Sequence, residues 1–177
     1  MIIDVSLLHN RGYHDFVTQA PLEERTMQQV VLEIKSHFRE LPKARDFVRE
    51  FCCRNAQWSF DEEDICHLEL AVHEAAVNII RHAYANRIDQ RIVIEAHWFD
   101  DKLIFRLNYW GQSFDRDSVP PPVLDGTAEA GFGLHMIDCC VDEATYIQSE
   151  KGKKTVCLIK QKKTPESCVR EAEEVNI

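Results

Sequence analysis

Apolar and polar residues alternate in several stretches of the chain, and such alternation predicts half-buried β-strands. The first stretch runs from Met27 to Lys35. Two more, RIVIEAHWF and KLIFRLNYW, flank Asp100 and Asp101 and predict a hairpin. A second hairpin is predicted from EATYIQSE and KTVCLIKQ, joined by a turn at residues 151–153.

Apolar residues recur every three or four positions elsewhere, and this period predicts amphipathic helices. Pro42 suits the first turn of one helix, which would end near Arg54. Asp61 would cap a second helix that runs to about Tyr84. A third would form in GFGLHMIDCC. The order β-α-α-β-β-α-β-β predicts an α+β fold, a two-layer sandwich with helices on one face of a mostly antiparallel sheet.

One domain of residues 26–162 accounts for these elements. Residues 1–25 show no clear period and predict an irregular N-terminal extension, while the acidic residues 163–177 predict a flexible tail. No apolar run is long enough to cross a bilayer, and the N-terminus lacks the basic start and apolar core of a secretion signal. We therefore expect a cytoplasmic protein without a membrane attachment.

Charge and cysteine usage exclude other classes of protein. A net charge of −9 disfavours direct contact with nucleic acid, because acidic surfaces repel phosphate backbones. Seven cysteines without a CxxC motif form neither a zinc framework nor a disulfide scaffold. On a helix, two adjacent cysteines cannot both face the core, so one residue of each pair is a candidate reactive thiol: Cys52 and Cys53, Cys139 and Cys140.

The second helix carries a polar stripe in HEAAVNIIRHAY, where Glu74, Asn78 and His82 recur every four residues. A carboxylate and an amide held on one helix can position a hydroxyl group and offer an oxygen to Mg²⁺. By spacing alone, an ordinary solvated helix face explains the stripe better. A zinc-protease HExxH motif is excluded because Val77 stands where the second histidine is required.

Glycines mark two further candidate positions. Gly131 and Gly133 directly precede the third helix, where backbone amides can approach an anion. The segment is neither a P-loop, since no Gly-Lys-Ser/Thr follows, nor a dinucleotide-binding fingerprint, since a proline-rich loop precedes it. Gly111 follows a predicted strand and alone indicates no more than a turn.

In order and spacing, these elements resemble the ATP-binding domain shared by DNA gyrase, heat-shock chaperones, histidine kinases and mismatch-repair ATPases. The strongest resemblance is to the anti-sigma-factor serine kinases and covers about residues 27–161. It is carried by LELAVHEAAVNIIRHAY and by GFGLHMIDCCVDEATYIQSEKGKKTVCLIKQ.

The resemblance implies roles for individual residues. Glu74 would orient or deprotonate the serine hydroxyl of a substrate protein, and Asn78 would ligate Mg²⁺ bound with ATP. His82 and Tyr84 would shape the pocket wall. The remaining implied contacts are Gly111 and Thr155 near adenine, Gly131, Gly133 and Leu134 around the phosphates, and residues 113–130 as a lid.

The resemblance also implies partners. Such a protein would be an anti-sigma factor and a serine-protein kinase, bind a sigma factor and a phosphorylatable anti-sigma-factor antagonist, and form a homodimer.

The sequence departs from this family's pattern at three positions. Tyr109 stands where the family usually has an aspartate that contacts the adenine amino group, Ser113 replaces a glycine, and Glu129 stands where some members have a base. Losing a charged hydrogen bond costs roughly 1.5–3 kcal/mol. These departures keep an alternative open, a non-catalytic module of the same fold that sequesters a partner with weak or no ATP binding. A detached sensor-kinase catalytic domain is a third reading, disfavoured because no phosphoacceptor helix pair precedes the domain.

Overall fold

The computed structural model describes residues 2–4, 28–54, 60–113, 116, 132–149 and 152–162. Within them, one antiparallel sheet has the strand order β1-β2-β3-β4-β6-β5. The strands are β1 (Ile2–Asp4), β2 (Gln28–Lys35), β3 (Arg91–Trp98), β4 (Lys102–Tyr109), β5 (Glu143–Gln148) and β6 (Lys154–Gln161). The helices are α1 (Leu41–Cys53), α2 (Glu62–Asn78) and α3 (Phe132–Cys140). The predicted α+β fold class is confirmed.

The strand β1 corrects the expectation of an irregular extension over residues 1–25. Ile2 pairs with Leu32 and Asp4 with Val30, so these three residues extend the sheet beyond β2. Three residues are too few to show an alternating pattern in the sequence. Residues 5–27 and the predicted tail, 163–177, lie outside the described residues.

The core lies between the helices and one face of the sheet. Alternate residues of β3 and β4 point into it, among them Trp98 and Phe105. The ring of Phe51 in α1 stacks on Trp98 at 5.5 Å and meets Phe105 edge-on at 6.0 Å. Each large side chain buried in this way contributes about 1.5–3 kcal/mol.

Polar contacts fix the start of α2. The Asp61 carboxylate accepts a hydrogen bond from the amide of Asp64 at 2.8 Å, as expected of an N-cap. Arg49 of α1 pairs with Glu62 at 2.8 Å and Glu69 at 2.5 Å. These contacts hold α2 in register with α1 along the sheet.

The end of α2 departs from regular helix geometry. Ile79–Ala83 form a π-helical turn, in which the amide of Tyr84 donates to the carbonyl of Ile79 at 2.9 Å. A short loop follows, and three of its residues have positive φ: Ala85 (50°), Asn86 (60°) and Asp89 (64°). Left-handed backbone is costly for residues other than glycine, and such strain clusters at functional sites.

The adjacent cysteines divide between core and surface as expected. Cys52 and Cys140 are buried, whereas Cys53 and Cys139 are exposed. Among the described residues, no helix is long and apolar enough to span a bilayer, and no group of three or more His, Cys, Asp or Glu side chains could hold a metal ion.

Candidate functional site

The polar stripe of α2 faces the first turn of α3. A Cβ atom placed on Gly133 would lie 3.0 Å from Oε2 of Glu74 and 3.6 Å from Oδ1 of Asn78. Both side chains are partly buried. The first amides of a helix lack intrahelical partners and favour anions. The structure therefore brings together Glu74, Asn78 and Gly133, three of the residues that the sequence singled out.

Asn78 has an unused donor at this junction. Its Nδ2 atom is buried and has no hydrogen-bond partner among the described residues. Buried amides are normally paired, so an unpaired one indicates a place for an additional ligand. An amide oxygen with phosphate oxygens is a donor set that suits Mg²⁺. Asn78 and the start of α3 thus fit the phosphate end of a nucleotide with its metal ion.

Part of the predicted phosphate loop lies outside the described residues. Gly131 and Glu129 lie outside the described residues, as does most of the predicted lid over residues 113–130. Leu134 is described, and its side chain packs against the hydrophobic core. Only the backbone amide of Leu134, and not its side chain, could therefore contact the phosphates.

The cavity beside Asn78 is too small for a nucleobase. Its volume is about 10 Å³, enough for roughly one water molecule. The lining residues are Ala75, Asn78, Ile79, Ala83, Tyr109, Tyr146 and Val156. The side chain of Tyr109 is only 3% exposed, and burial raises its pKa to about 12. A neutral phenol ring thus occupies this part of the site, and the residues present do not fit adenine in this conformation.

Two cationic residues beside the cavity were missed in the sequence. Lys154 pairs with Tyr109 across β4 and β6, and its ammonium donates to the carbonyl of Gly111 at 2.7 Å. Arg116 pairs with Asp138 of α3 at 2.5 Å, and its guanidinium carbon lies 5.7 Å from the centre of the Tyr146 ring. The pairing of β4 with β6 would have placed Lys154 beside Tyr109. No sequence pattern marks Arg116 as a residue near the cavity.

The expected position of Thr155 is wrong. Its hydroxyl donates to Oδ1 of Asn108 at 2.7 Å, and the two residues are paired across β4 and β6. The next residue, Val156, lines the cavity instead. Because side chains alternate along a strand, Thr155 lies with Cys157 on the face of the sheet that is turned away from the helices.

The π-helical turn changes the expected roles of His82 and Gly111. His82 is exposed, and Ala83 lines the cavity in place of it, because the wider turn breaks the four-residue spacing. A Cβ atom on Gly111 would collide with the carbonyl oxygen of Ala83. Position 111 thus requires glycine because the backbone of Ala83 lies against it. The amide of Gln112 also donates a hydrogen bond to the carbonyl of Ala83 at 2.7 Å.

Among known proteins, this chain is similar in sequence to serine-protein kinases. Serine-protein kinase RsbW of Listeria innocua is 32% identical over 99 residues, which cover 51% of this chain and 63% of the relative. The Bacillus subtilis protein of the same name is 28% identical over 113 residues, 59% of this chain and 69% of the relative. The chain thus spans under two thirds of the Listeria relative.

A solved structure shares the fold. The crystal structure of the RsbU and RsbW domains of Rv1364c from Mycobacterium tuberculosis matches with a TM-score of 0.52 and 21% identity, covering 76% of this chain and 33% of that one. The family described as "Histidine kinase-like ATPase domain" matches residues 34–160. This protein belongs to the histidine kinase-like ATPase domain family.

Proposed function

We propose that this protein is an anti-sigma factor and an ATP-dependent serine-protein kinase that acts on an anti-sigma-factor antagonist in partner-switching control of transcription. The observation that carries the proposal is the position of Glu74 and Asn78 directly against Gly133 at the start of α3. The names of the relatives support the same activity. We further propose that it works in the cytoplasm as a homodimer and contacts proteins rather than nucleic acid.

The chain's own residues would divide the work as follows. Glu74 accepts the proton of the substrate serine hydroxyl as that oxygen attacks the terminal phosphorus of ATP. Asn78 would hold Mg²⁺ through its amide oxygen. The amides of Gly133 and Leu134, with Gly131, would bind phosphate oxygens, and phosphoryl transfer depends mainly on such positioning. ATP supplies the phosphoryl group and leaves as ADP.

A second function is favoured by Tyr109. Its buried ring lines the small cavity beside Asn78, which has no room for a nucleobase. A protein that kept this conformation would bind its partner without using ATP. The candidate is a non-catalytic module of the same fold that sequesters a protein.

A phosphotransfer assay separates the two functions. The full chain is mixed with ³²P-labelled ATP, Mg²⁺ and candidate antagonist proteins, and labelled serine is measured. The kinase proposal expects transfer that falls by about 10²–10⁴-fold in Glu74→Gln, since that is the usual contribution of a general base. The matched control is Glu63→Gln, which removes an exposed carboxylate from the same helix.

Two results would contradict the proposal, the first the role of Glu74 and the second the kinase activity itself. Transfer that is unchanged in Glu74→Gln excludes the proposed base. Calorimetry that detects no binding of Mg²⁺ and ATP to the wild-type chain supports the non-catalytic module instead.

A further inference from the structure

One end of the sheet exposes three large apolar side chains in a short stretch of surface. Phe38 is 44% exposed, Ile88 59% and Trp110 44%. Lys35 of β2 pairs with Arg91 of β3, and Trp110 directly follows β4, so all three strands reach this end together.

The loop that carries Ile88 is fixed beside this end. Ser36 accepts a hydrogen bond from the amide of Gln90 at 2.9 Å and donates to the carbonyl of Arg87 at 2.6 Å. Ile88 therefore lies in the loop that leads into β3, the strand between β2 and β4, and this loop is bonded to the end of β2. We call the surface of Phe38, Arg81, Ile88, Arg91 and Trp110 the sheet-end patch.

Arginines cover the two aromatic rings of the patch. The guanidinium carbon of Arg81 lies 5.7 Å from the centre of the Phe38 ring, and that of Arg91 lies 5.3 Å from the Trp110 ring. Arg91 also pairs with Glu33 at 2.8 Å. Among the described residues, Arg81 and Arg87 form no ion pair with a carboxylate, whereas Arg39 lies close enough to Glu40 to help lower the pKa of that carboxylate. In a chain of net charge −9, this patch is a local concentration of positive charge on apolar surface.

We propose that the sheet-end patch docks an acidic segment of a partner protein, with carboxylates on the arginines and an apolar side chain against Phe38, Ile88 and Trp110. Charge complementarity selects this occupant over nucleic acid, because the acidic remainder of the chain would repel a phosphate backbone. Exposed aromatic and arginine side chains are also the residues that most often dominate protein interfaces. The proposal deepens the proposed function, since it assigns a surface on which a regulated protein would bind.

The patch is connected to the candidate site. Arg81 lies in the same π-helical turn as Ala83, which lines the cavity. Trp110 lies between Tyr109 and Gly111, and its amide donates to the Tyr84 hydroxyl at 2.9 Å. A partner bound to the patch would thus touch elements that form the cavity wall.

A binding assay with synthetic peptides tests the proposal. The probe is a fluorescein-labelled peptide built from glutamate and leucine, and its counterpart with lysine in place of glutamate measures selectivity. Anisotropy with the full chain should show binding of the acidic peptide only, weakened by salt. Arg81→Gln/Arg91→Gln should weaken binding by roughly tenfold, since each surface charge contributes up to about a factor of five. Ile88→Ser should weaken it as well.

The matched control is Arg54→Gln/Lys160→Gln, which removes two positive charges elsewhere on the surface. Equal weakening by this control, or equal binding of the lysine peptide, would overturn the proposal. So would no binding of the acidic peptide. Sedimentation that shows a wild-type dimer dissociated by Arg81→Gln/Arg91→Gln would assign the patch to a second copy and also overturn it.

The proposed kinase activity is tested separately. Glu74→Gln should bind the acidic peptide as the wild type does. If it does so and wild-type phosphotransfer is absent, the kinase fails while the docking surface stands. If phosphotransfer is present and the peptide does not bind, only the docking surface fails.

Discussion

The ring of Tyr84 meets the ring of Tyr109 edge-on, with centroids 6.3 Å apart and planes at 81°. The Tyr84 hydroxyl also donates to the carbonyl of Arg91 at 2.6 Å and accepts from the amide of Trp110. Tyr84 is buried and connects the sheet-end patch directly to the Tyr109 ring, which lines the cavity. The first two predictions follow from this pair of rings.

Removing the Tyr109 ring should open the cavity. We expect Tyr109→Ala to lower the free energy of unfolding by about 3–5 kcal/mol, the usual cost of deleting a buried aromatic ring. Affinity for Mg²⁺ and ATP should rise by roughly tenfold, because binding no longer depends on a conformation with the ring displaced. Calorimetric titration measures the affinity, and Tyr109→Phe, which retains the ring, should bind as the wild type does. Equal affinity of both variants would show that the ring does not obstruct the nucleotide.

Removing the Tyr84 hydroxyl should destabilise the fold. Tyr84→Phe leaves the Trp110 amide and the Arg91 carbonyl without their partner, so we expect a loss of about 1–3 kcal/mol in urea unfolding. Tyr109→Phe should lose less, since no hydrogen bond joins its hydroxyl to the described residues. Equal losses would contradict the structural role of Tyr84.

Gly133→Ala should lower phosphotransfer without lowering the thermal stability of the protein. Alanine in a helix is favoured over glycine by about 0.5–1 kcal/mol, so the melting temperature should be unchanged or higher. Its Cβ atom would lie 3.0 Å from Oε2 of Glu74 and force that carboxylate to shift. The required shift is a few tenths of an ångström, so phosphotransfer should fall by roughly threefold to tenfold, less than the hundredfold loss that a 1 Å displacement can cause. Cys139→Ala, at an exposed position of the same helix, should retain full activity.

The stability of the protein should decline in strong alkali because of Tyr109. Burial raises its pKa from 10.0 to about 12 in the folded state. Below pH 10, both folded and unfolded chains retain the phenolic proton, so the stabilisation is fully present. Between about pH 10 and 12, the unfolded chain releases the proton first, and up to about 2–3 kcal/mol is lost as pH rises.

Urea unfolding at a series of alkaline pH values measures this decline, which should be shallower in Tyr109→Phe. Burial also raises the pKa of Tyr84 and Tyr146. Tyrosinate absorbance of the native protein should therefore appear mainly above pH 10. A normal titration of all tyrosines at pH 10 would exclude the buried position of the Tyr109 ring.

The six described cysteines should react in two groups. Cys53, Cys66 and Cys139 are exposed and should be modified by Ellman's reagent in the native protein. The buried Cys52, Cys140 and Cys157 should react only after unfolding, because burial raises the pKa of each thiol, to about 12 for Cys52. Mass spectrometry identifies the modified sites. Early modification of Cys52 would contradict the packing of α1.

The regular part of the fold could be predicted because its periods are long and distinct. The strands β2 to β4 alternate over eight residues each, and the apolar face of α2 recurs over four turns. Glu74 and Asn78 could be singled out because they lie on one helix face. Gly133 was expected to precede the third helix and lies in its first turn instead, and the roles of all three residues stay predictions. Only the structure shows how close Glu74 and Asn78 lie to Gly133.

The positions of Thr155 and His82 could not be predicted for two physical reasons. Residues 155–158 of β6 are all buried, so apolar character does not reveal which face a side chain occupies. A π-helical turn adds one residue to a helical turn without changing the amino-acid composition of the segment. The hydrophobic period of the sequence therefore does not reveal it. Tyr109 was identified as a departure from the family's pattern, but only the packing shows that its buried ring lines the small cavity.

The π-helical turn at Ile79–Ala83 also limits how this segment can change in evolution. Its extra residue sets the carbonyl of Ala83 against Gly111 and joins it to the amide of Gln112. Deleting one residue there would rotate the following chain by about 100° relative to α2, the angle between successive helical residues. Substitutions at exposed positions should therefore be tolerated between Glu74 and Tyr84, whereas single-residue insertions and deletions should not.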